Sequence, residues 1–214
     1  MKTTHHLNEQ LQMGYAAGVL PEAFNLVIAS HLCLSDESRA TQCCYDAVGG
    51  AVLDKCEKER MSVDALSATL HQIKTCACDT TAPKICTGIF PEPLQGYIGE
   101  NLESIHWHGM GKGVRQANIP TAKGACVRLL FVPAGQAVPD HGRQGTEITL
   151  VLQGIYTDLG ERYNRGDIKI TAPDAPSQPV VENGQDCICL SATDAPLKFH
   201  RWLHRFLPPF LKRY

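Results

Sequence analysis

GQAVPDHGRQGTEITLVLQG, residues 135–154, decides how this chain is read. Gly135 is followed after five residues by His141, then by Arg143, by Glu147 after three more, and by Gly154 after a further six. An imidazole and a carboxylate are donors of the kind that hold a divalent metal, whereas the guanidinium between them carries five N–H groups and no lone pair. The segment closes on EITLVLQG, a strand-like run of aliphatic and β-branched residues. Further short runs, GVRQANI, CVRLLFV, DIKI and CICLSA, are separated by Gly and Pro, which is the strand spacing of an all-β barrel.

The spacing resembles the first motif of the cupin barrels. In that family, glycine, His-x-His, glutamate and glycine place two imidazoles and a carboxylate around a metal at the barrel mouth. The resemblance puts Arg143 where the second imidazole belongs, so the metal site is damaged while the barrel signal survives. Arg143 also has a metal-free reading: as the i, i+4 neighbour of Glu147 it could lay its guanidinium on that carboxylate.

The chain has 214 residues, with 20 Lys+Arg against 22 Asp+Glu. That near balance leaves no electrostatic footprint for nucleic acid over the chain as a whole. The N-terminus, MKTTHHLNEQLQ, lacks a basic stretch followed by an apolar core, and no window approaches the roughly 18 to 20 apolar residues of a membrane span. These features predict a soluble cytoplasmic protein that binds neither nucleic acid nor membrane directly. Ten cysteines in such a compartment are expected to be reduced, as core residues, ligands or redox sensors. Close pairs occur at Cys43-Cys44, Cys76-x-Cys78 and Cys187-x-Cys189.

The N-terminal third reads as helices. Leu7, Leu11, Tyr15 and Ala16 recur near a helical period up to Gly18, and Pro21 opens a second helix through PEAFNLVIASHL. Ser35 is a good N-cap, followed by Asp36 and Glu37 at the positive end of a helix dipole, so a third helix is expected from Ser35 to about Cys56. SVDALSATLHQIK predicts a fourth, amphipathic through Val63, Leu66, Leu70 and Ile73, with Ser62 as candidate cap. Three prolines then mark a linker between Cys76 and Gln95.

The two halves together resemble the ChrR-type anti-sigma factors, on the segments HLNEQLQMGYAAGVLPEAFNLVIASHL, AVPDHG, EITLVLQG and GQDCICLSATDAPLKF. The resemblance spans nearly the whole chain and implies an α+β multidomain protein: a small helical anti-sigma domain over residues 1–78, a linker over 79–95, a cupin double-stranded β-helix barrel over 96–197 and a basic aromatic tail over 198–214. It implies an extracytoplasmic-function sigma factor as partner, no enzymatic activity, and release on an oxidative-type signal sensed through the cupin half. It further implies zinc in the helical domain on an early His and a His-x3-Cys-x2-Cys run. His6 and His31 match, but Ser35 and Ser38 stand at the cysteine positions, and a neutral hydroxyl is a poor zinc ligand beside a thiolate. In the barrel His141 and Glu147 match, whereas Arg143 and Ser177 occupy the other ligand positions.

The partner surface is expected on exposed apolar residues of the early helices and the third helix, with Leu7, Leu11 and Tyr15 as candidates. Cys187 and Cys189 fall on one face of a strand and read as reduced core thiols with a candidate redox role, which would require exposure and a lowered thiol pKa. His106 and His108 read as surface groups, and the tail as a segment closing one end of the barrel. The competing functions are a metal-dependent cupin enzyme such as a dioxygenase or isomerase, which needs more ligands than this chain offers, and a metal-free cupin binding a small molecule.

Overall fold

The computed structural model describes residues 3–75, 88–99, 102–122, 124–138 and 145–194. His141, Arg143, Cys76, Cys78 and the tail lie outside the described residues. α1 (Glu9–Ala16) is capped by Asn8, whose side chain accepts from the Leu11 amide. α2 (Glu22–Leu34) starts after Pro21, and α3 (Asp36–Leu53) after Ser35, whose Oγ accepts from the Ser38 amide as its N-cap role predicts. α4 (Ala65–Thr75) begins three residues after Ser62, whose carbonyl accepts from the Ala65 amide. A fifth helix, α5 (Glu92–Ile98), lies partly within the expected linker, and Phe90 and Leu94 are fully buried. Residues 88–95 are therefore packed structure rather than spacer.

The strands are β1 (His108–Gly111), β2 (Val114–Ile119), β3 (Cys126–Val132), β4 (Glu147–Gln153), β5 (Ile155–Asp158), β6 (Glu161–Asn164), β7 (Ile168–Thr171), β8 (Val180–Val181) and β9 (Cys187–Thr193). They form a six-stranded sheet ordered β1-β2-β3-β9-β4-β7 and a three-stranded sheet ordered β6-β5-β8, with every pairing antiparallel. The motif glycine Gly154 turns β4 into β5 with φ +76°, and a Cβ there would lie 2.6 Å from the Asp186 carbonyl oxygen. Only glycine fits that approach.

The large sheet is buried on both faces. Leu129, Ile148, Leu150, Leu152, Ile188 and Leu190 point away from the barrel and join Phe24, Val27, Ile28, Phe90 and Leu94 in one core. On the inner face Leu130, Val132, Val151, Cys187 and Cys189 pack with Tyr156, Tyr163 and Val181. This is why β9 reads CICLSAT, with every residue buried and no polar alternation. It is also why α2 is apolar nearly all round: it sits between the sheet and α1, α3 and α5. The helical third and the barrel thus share a hydrophobic core.

Candidate functional site

Three places carry the chemistry-bearing residues. The first is where α2, α3 and the N-terminal strand of chain meet the turn between β6 and β7. His31, fully buried, accepts or donates at Nε2 to the Ser38 Oγ at 2.8 Å and donates from Nδ1 to the Gly166 carbonyl oxygen at 2.8 Å. His6 Nδ1 lies 3.1 Å from Ser38 Oγ and 3.4 Å from Ser35 Oγ. Ser35 and Ser38 hydroxyls are 3.2 Å apart, and Thr3 Oγ1 closes on Ser35 at 3.1 Å. The four positions aligned with ligands by resemblance, His6, His31, Ser35 and Ser38, do converge. Cys33 is exposed while His31 is buried, as a two-residue helical separation dictates, and Cys43 and Cys44 are exposed along α3.

Burial drives the His31 pKa down to about 4; the nearby His6 adds to this, while the Gly166 bond and Asp167 oppose it. His31 is therefore a neutral imidazole at physiological pH. Since a carbonyl only accepts, Nδ1 holds the proton and Nε2 accepts from Ser38. Beside this cluster the Asp167 carboxylate receives the amides of Thr4, His5 and Asn164 and the Thr4 hydroxyl. Burial alone would raise its pKa, but those donors outweigh it and hold the carboxyl below the usual range. The N-terminal segment is pinned to the barrel by these bonds. Gly166 makes the approach feasible: with φ +90°, a Cβ on it would meet the Thr3 methyl at 2.7 Å.

The second place is the barrel interior. Glu147 is buried and receives Arg128 Nη2 at 2.8 Å and the Ser191 hydroxyl. Arg128 went unnoticed in the sequence, although a lone cation in the run CVRLLFV, in register with Leu130 and Val132 on the inward face, is the signal that could have found it. The pairing expected of Arg143 lies outside the described residues, but the buried carboxylate already has a cation in Arg128. Ser177, at a ligand position by resemblance, instead donates to Asp158, which also receives Lys169 and the Gln178 amide. Burial opposes ionisation of Asp158, and Lys169, Ser177 and Gln178 in turn overcome it, so its pKa is lowered.

Among the described residues no three His, Cys, Asp or Glu side chains are grouped to hold a metal ion. Among the described residues of the barrel, the donors at the expected positions are a carboxylate paired with arginine and a hydroxyl committed to Asp158, and these two do not make a metal site. Cys187 and Cys189 line the same cavity with their sulfurs 3.5 Å apart, buried. The hydrogen bond from Cys187 and burial push the Cys189 thiol well up. Both thiols thus lack the exposure that suits a thiolate sensor, and that of Cys189 is shifted away from ionisation. His106 and His108 are exposed, as expected.

The third place is an apolar face. Leu7, expected to touch a partner, is 7% exposed and belongs to the core, and Leu11 and Tyr15 are half-buried against it. Their amphipathic period packs α1 onto α3 and α2, which leaves Leu7 little open surface while Leu11 and Tyr15 keep part of theirs. The open apolar residues lie elsewhere: Val52 and Leu53 at the end of α3, Val63 at 100% exposure, and Leu66, Leu70 and Ile73 on α4. No residue of α4 is buried. Among the described residues nothing covers this regular apolar stripe.

A two-sheet antiparallel barrel with a helical layer docked on its outer face, and ligand positions taken by serines, defines a helix-bearing cupin protein. No family model matches the chain. It is 43% identical over 212 residues to the anti-sigma-E factor ChrR of Cereibacter sphaeroides, covering 99% of this chain and all of that one. The chain belongs to the ChrR anti-sigma factor family. Among solved structures it is similar to that of Rhodobacter sphaeroides SigE in complex with the anti-sigma ChrR, with a TM-score of 0.79 and 44% identity over 90% of this chain and 100% of that chain. An RmlC-like cupin protein from Ralstonia eutropha JMP134 matches 48% of this chain and 71% of its own, at 18% identity and a TM-score of 0.38. No helix among the described residues is long and apolar enough to cross a membrane.

Proposed function

We propose that this chain is a cytoplasmic, non-enzymatic anti-sigma factor that sequesters an extracytoplasmic-function sigma factor on the apolar face of α3 and α4, and that an oxidative-type signal acting on the cupin half releases it. The observation that carries this reading is that face: Leu66, Leu70 and Ile73 form one stripe on a helix with no buried residue. Family membership supplies the class of partner, and helix-in-groove recognition needs only such a stripe, not a metal. For release, Cys187 and Cys189 sit on β9 between β3 and β4. An oxidised sulfur there is larger and polar, and would loosen the sheet on which α2 rests.

The test is co-expression of the full chain with extracytoplasmic-function sigma factors of its source cell. The wild type is expected to copurify with one of them. Leu66→Asp/Ile73→Asp should weaken that complex by at least about tenfold, since each large aliphatic is worth ~1.5–3 kcal/mol when buried, while its melting temperature stays put. Cys187→Ser/Cys189→Ser should bind normally and resist release by oxidant. Failure of the wild type to hold any sigma factor sinks the reading, and an intact complex in the α4 variant removes this face from it.

A further inference from the structure

We propose that the cluster of Thr3, His6, His31, Ser35 and Ser38 is a metal-independent latch, a closed chain of hydrogen bonds that takes the place of zinc in this chain and ties the helical layer to the barrel through Gly166. The donor set does not fit the ion that the resemblance implies. Two neutral imidazoles and two neutral hydroxyls bring no negative charge of their own to Zn²⁺, whereas two thiolates would have cancelled its charge within the ligand set. The spacing argues the same way. A tetrahedron of ~2.1 Å metal bonds has edges of ~3.4 Å, whereas Ser38 Oγ stands at 2.8 Å from His31 Nε2, 3.1 Å from His6 Nδ1 and 3.2 Å from Ser35 Oγ. These are contact distances for hydrogen bonds, with the Ser38 hydroxyl seated between the two rings.

The proton positions close within the cluster, with His6 Nε2 left facing Glu37 Oε2 at 3.5 Å on its outer side. His31 Nδ1–H donates to the Gly166 carbonyl, leaving Nε2 to accept the Ser38 proton. Ser38 Oγ, having spent its one proton, accepts from the Ser35 hydroxyl and from His6 Nδ1–H. Ser35 Oγ in turn accepts from the Ser38 amide and from Thr3. Every lone pair that a zinc ion would need on His31 and Ser38 is therefore already engaged by a proton. Through Nδ1 of His31 the latch also grips the turn between β6 and β7. The inference goes beyond the sigma-factor reading and does not depend on it.

The test is metal analysis of the full-length protein with a gain-of-site variant. The wild type is expected to carry no zinc at this cluster, and its melting temperature should not move on adding a chelator. Ser35→Cys/Ser38→Cys should take up one Co²⁺ per chain and show thiolate-to-cobalt absorption, which a carboxylate or imidazole site in the barrel cannot produce. The proposal is overturned if wild-type protein holds stoichiometric zinc that His6→Ala removes; zinc that survives His6→Ala lies elsewhere and leaves the latch standing. It is overturned equally if the folded double-cysteine variant takes up no cobalt on its thiolates, since the four positions would then not form the constellation described. Should that variant not fold, the wild-type and His6→Ala metal contents decide alone.

Discussion

His31 and Arg128 are the two residues whose environments have the sharpest consequences. His31 is neutral in the fold with a pKa of about 4, against roughly 6.5 when unfolded. Below the unfolded value the denatured chain binds the extra proton and the native one does not, so stability is full above pH ~6.5 and drains away as pH falls towards 4. The gap corresponds to about 3 kcal/mol at most. The melting temperature should therefore drop by many degrees between pH 7 and pH 5, where the depressed carboxyls Asp158 and Asp167 still hold their charge. Equal melting at those two pH values would refute a buried neutral His31. Arg128 makes a different prediction. Arg128→Met strips the cation from a buried carboxylate and should cost about 3–5 kcal/mol, whereas Arg128→Met/Glu147→Gln should recover most of it. A double variant as unstable as the single one, in thermal melts, would show that Arg128 acts through packing and not through Glu147. The convergence of His6, His31, Ser35 and Ser38 was legible by resemblance, because their order and spacing are those of a ligand set. The Arg128–Glu147 pair was not, because 19 residues separate its members and only strand register brings them together.

At the scale of elements, the starts of α2 and α3 were readable because they are local chemistry: Pro21 and Ser35 each act within a turn of their own position. The longer strands β2, β3, β4 and β9 were readable from aliphatic runs, and the four-residue β7 from the isoleucines of DIKI. β1, β5, β6 and β8 escaped, since two to four residues such as HGMG or VV carry no period. Partner assignment failed for a related reason. An amphipathic stripe on α1 and one on α4 look alike in sequence, yet the first closes on α3 and α2, while no described residue buries the second. The turn between β6 and β7 is the element that makes this difference, by letting the N-terminal segment dock. Gly166→Ala would place a methyl 2.7 Å from the Thr3 side chain and force a non-glycine residue to φ +90°. A loss of about 1–3 kcal/mol is expected, measured as a lowered denaturation midpoint with an unchanged slope. An unaltered midpoint would mean the N-terminal segment does not need that close approach.

For the whole molecule, the sequence resembles two domains joined by a linker, and the order of helices then barrel is observed. What composition could not reveal is that α2 serves both halves. Phe24, Val27 and Ile28 read as the core of a helical bundle, but they pack with Ile148, Leu150 and Leu190 of the barrel sheet and with Phe90 and Leu94 from beyond the helical third. A fragment of residues 1–78 would lose those partners together with the Gly166 and Asp167 anchors. Each large side chain exposed forfeits ~1.5–3 kcal/mol, so the isolated fragment should melt more than ~10 °C below the full chain and bind more of a hydrophobic dye than the full chain does. The α3–α4 face is built without the barrel, so a sigma factor should still recognise the fragment, though a loosened α2 would carry that face less rigidly. Melting of the fragment at the temperature of the full chain would show that the shared core contributes nothing to the helices. It would also remove the route by which a change inside the barrel, at Cys187 or Cys189 on β9, reaches α2 and the surface beyond it.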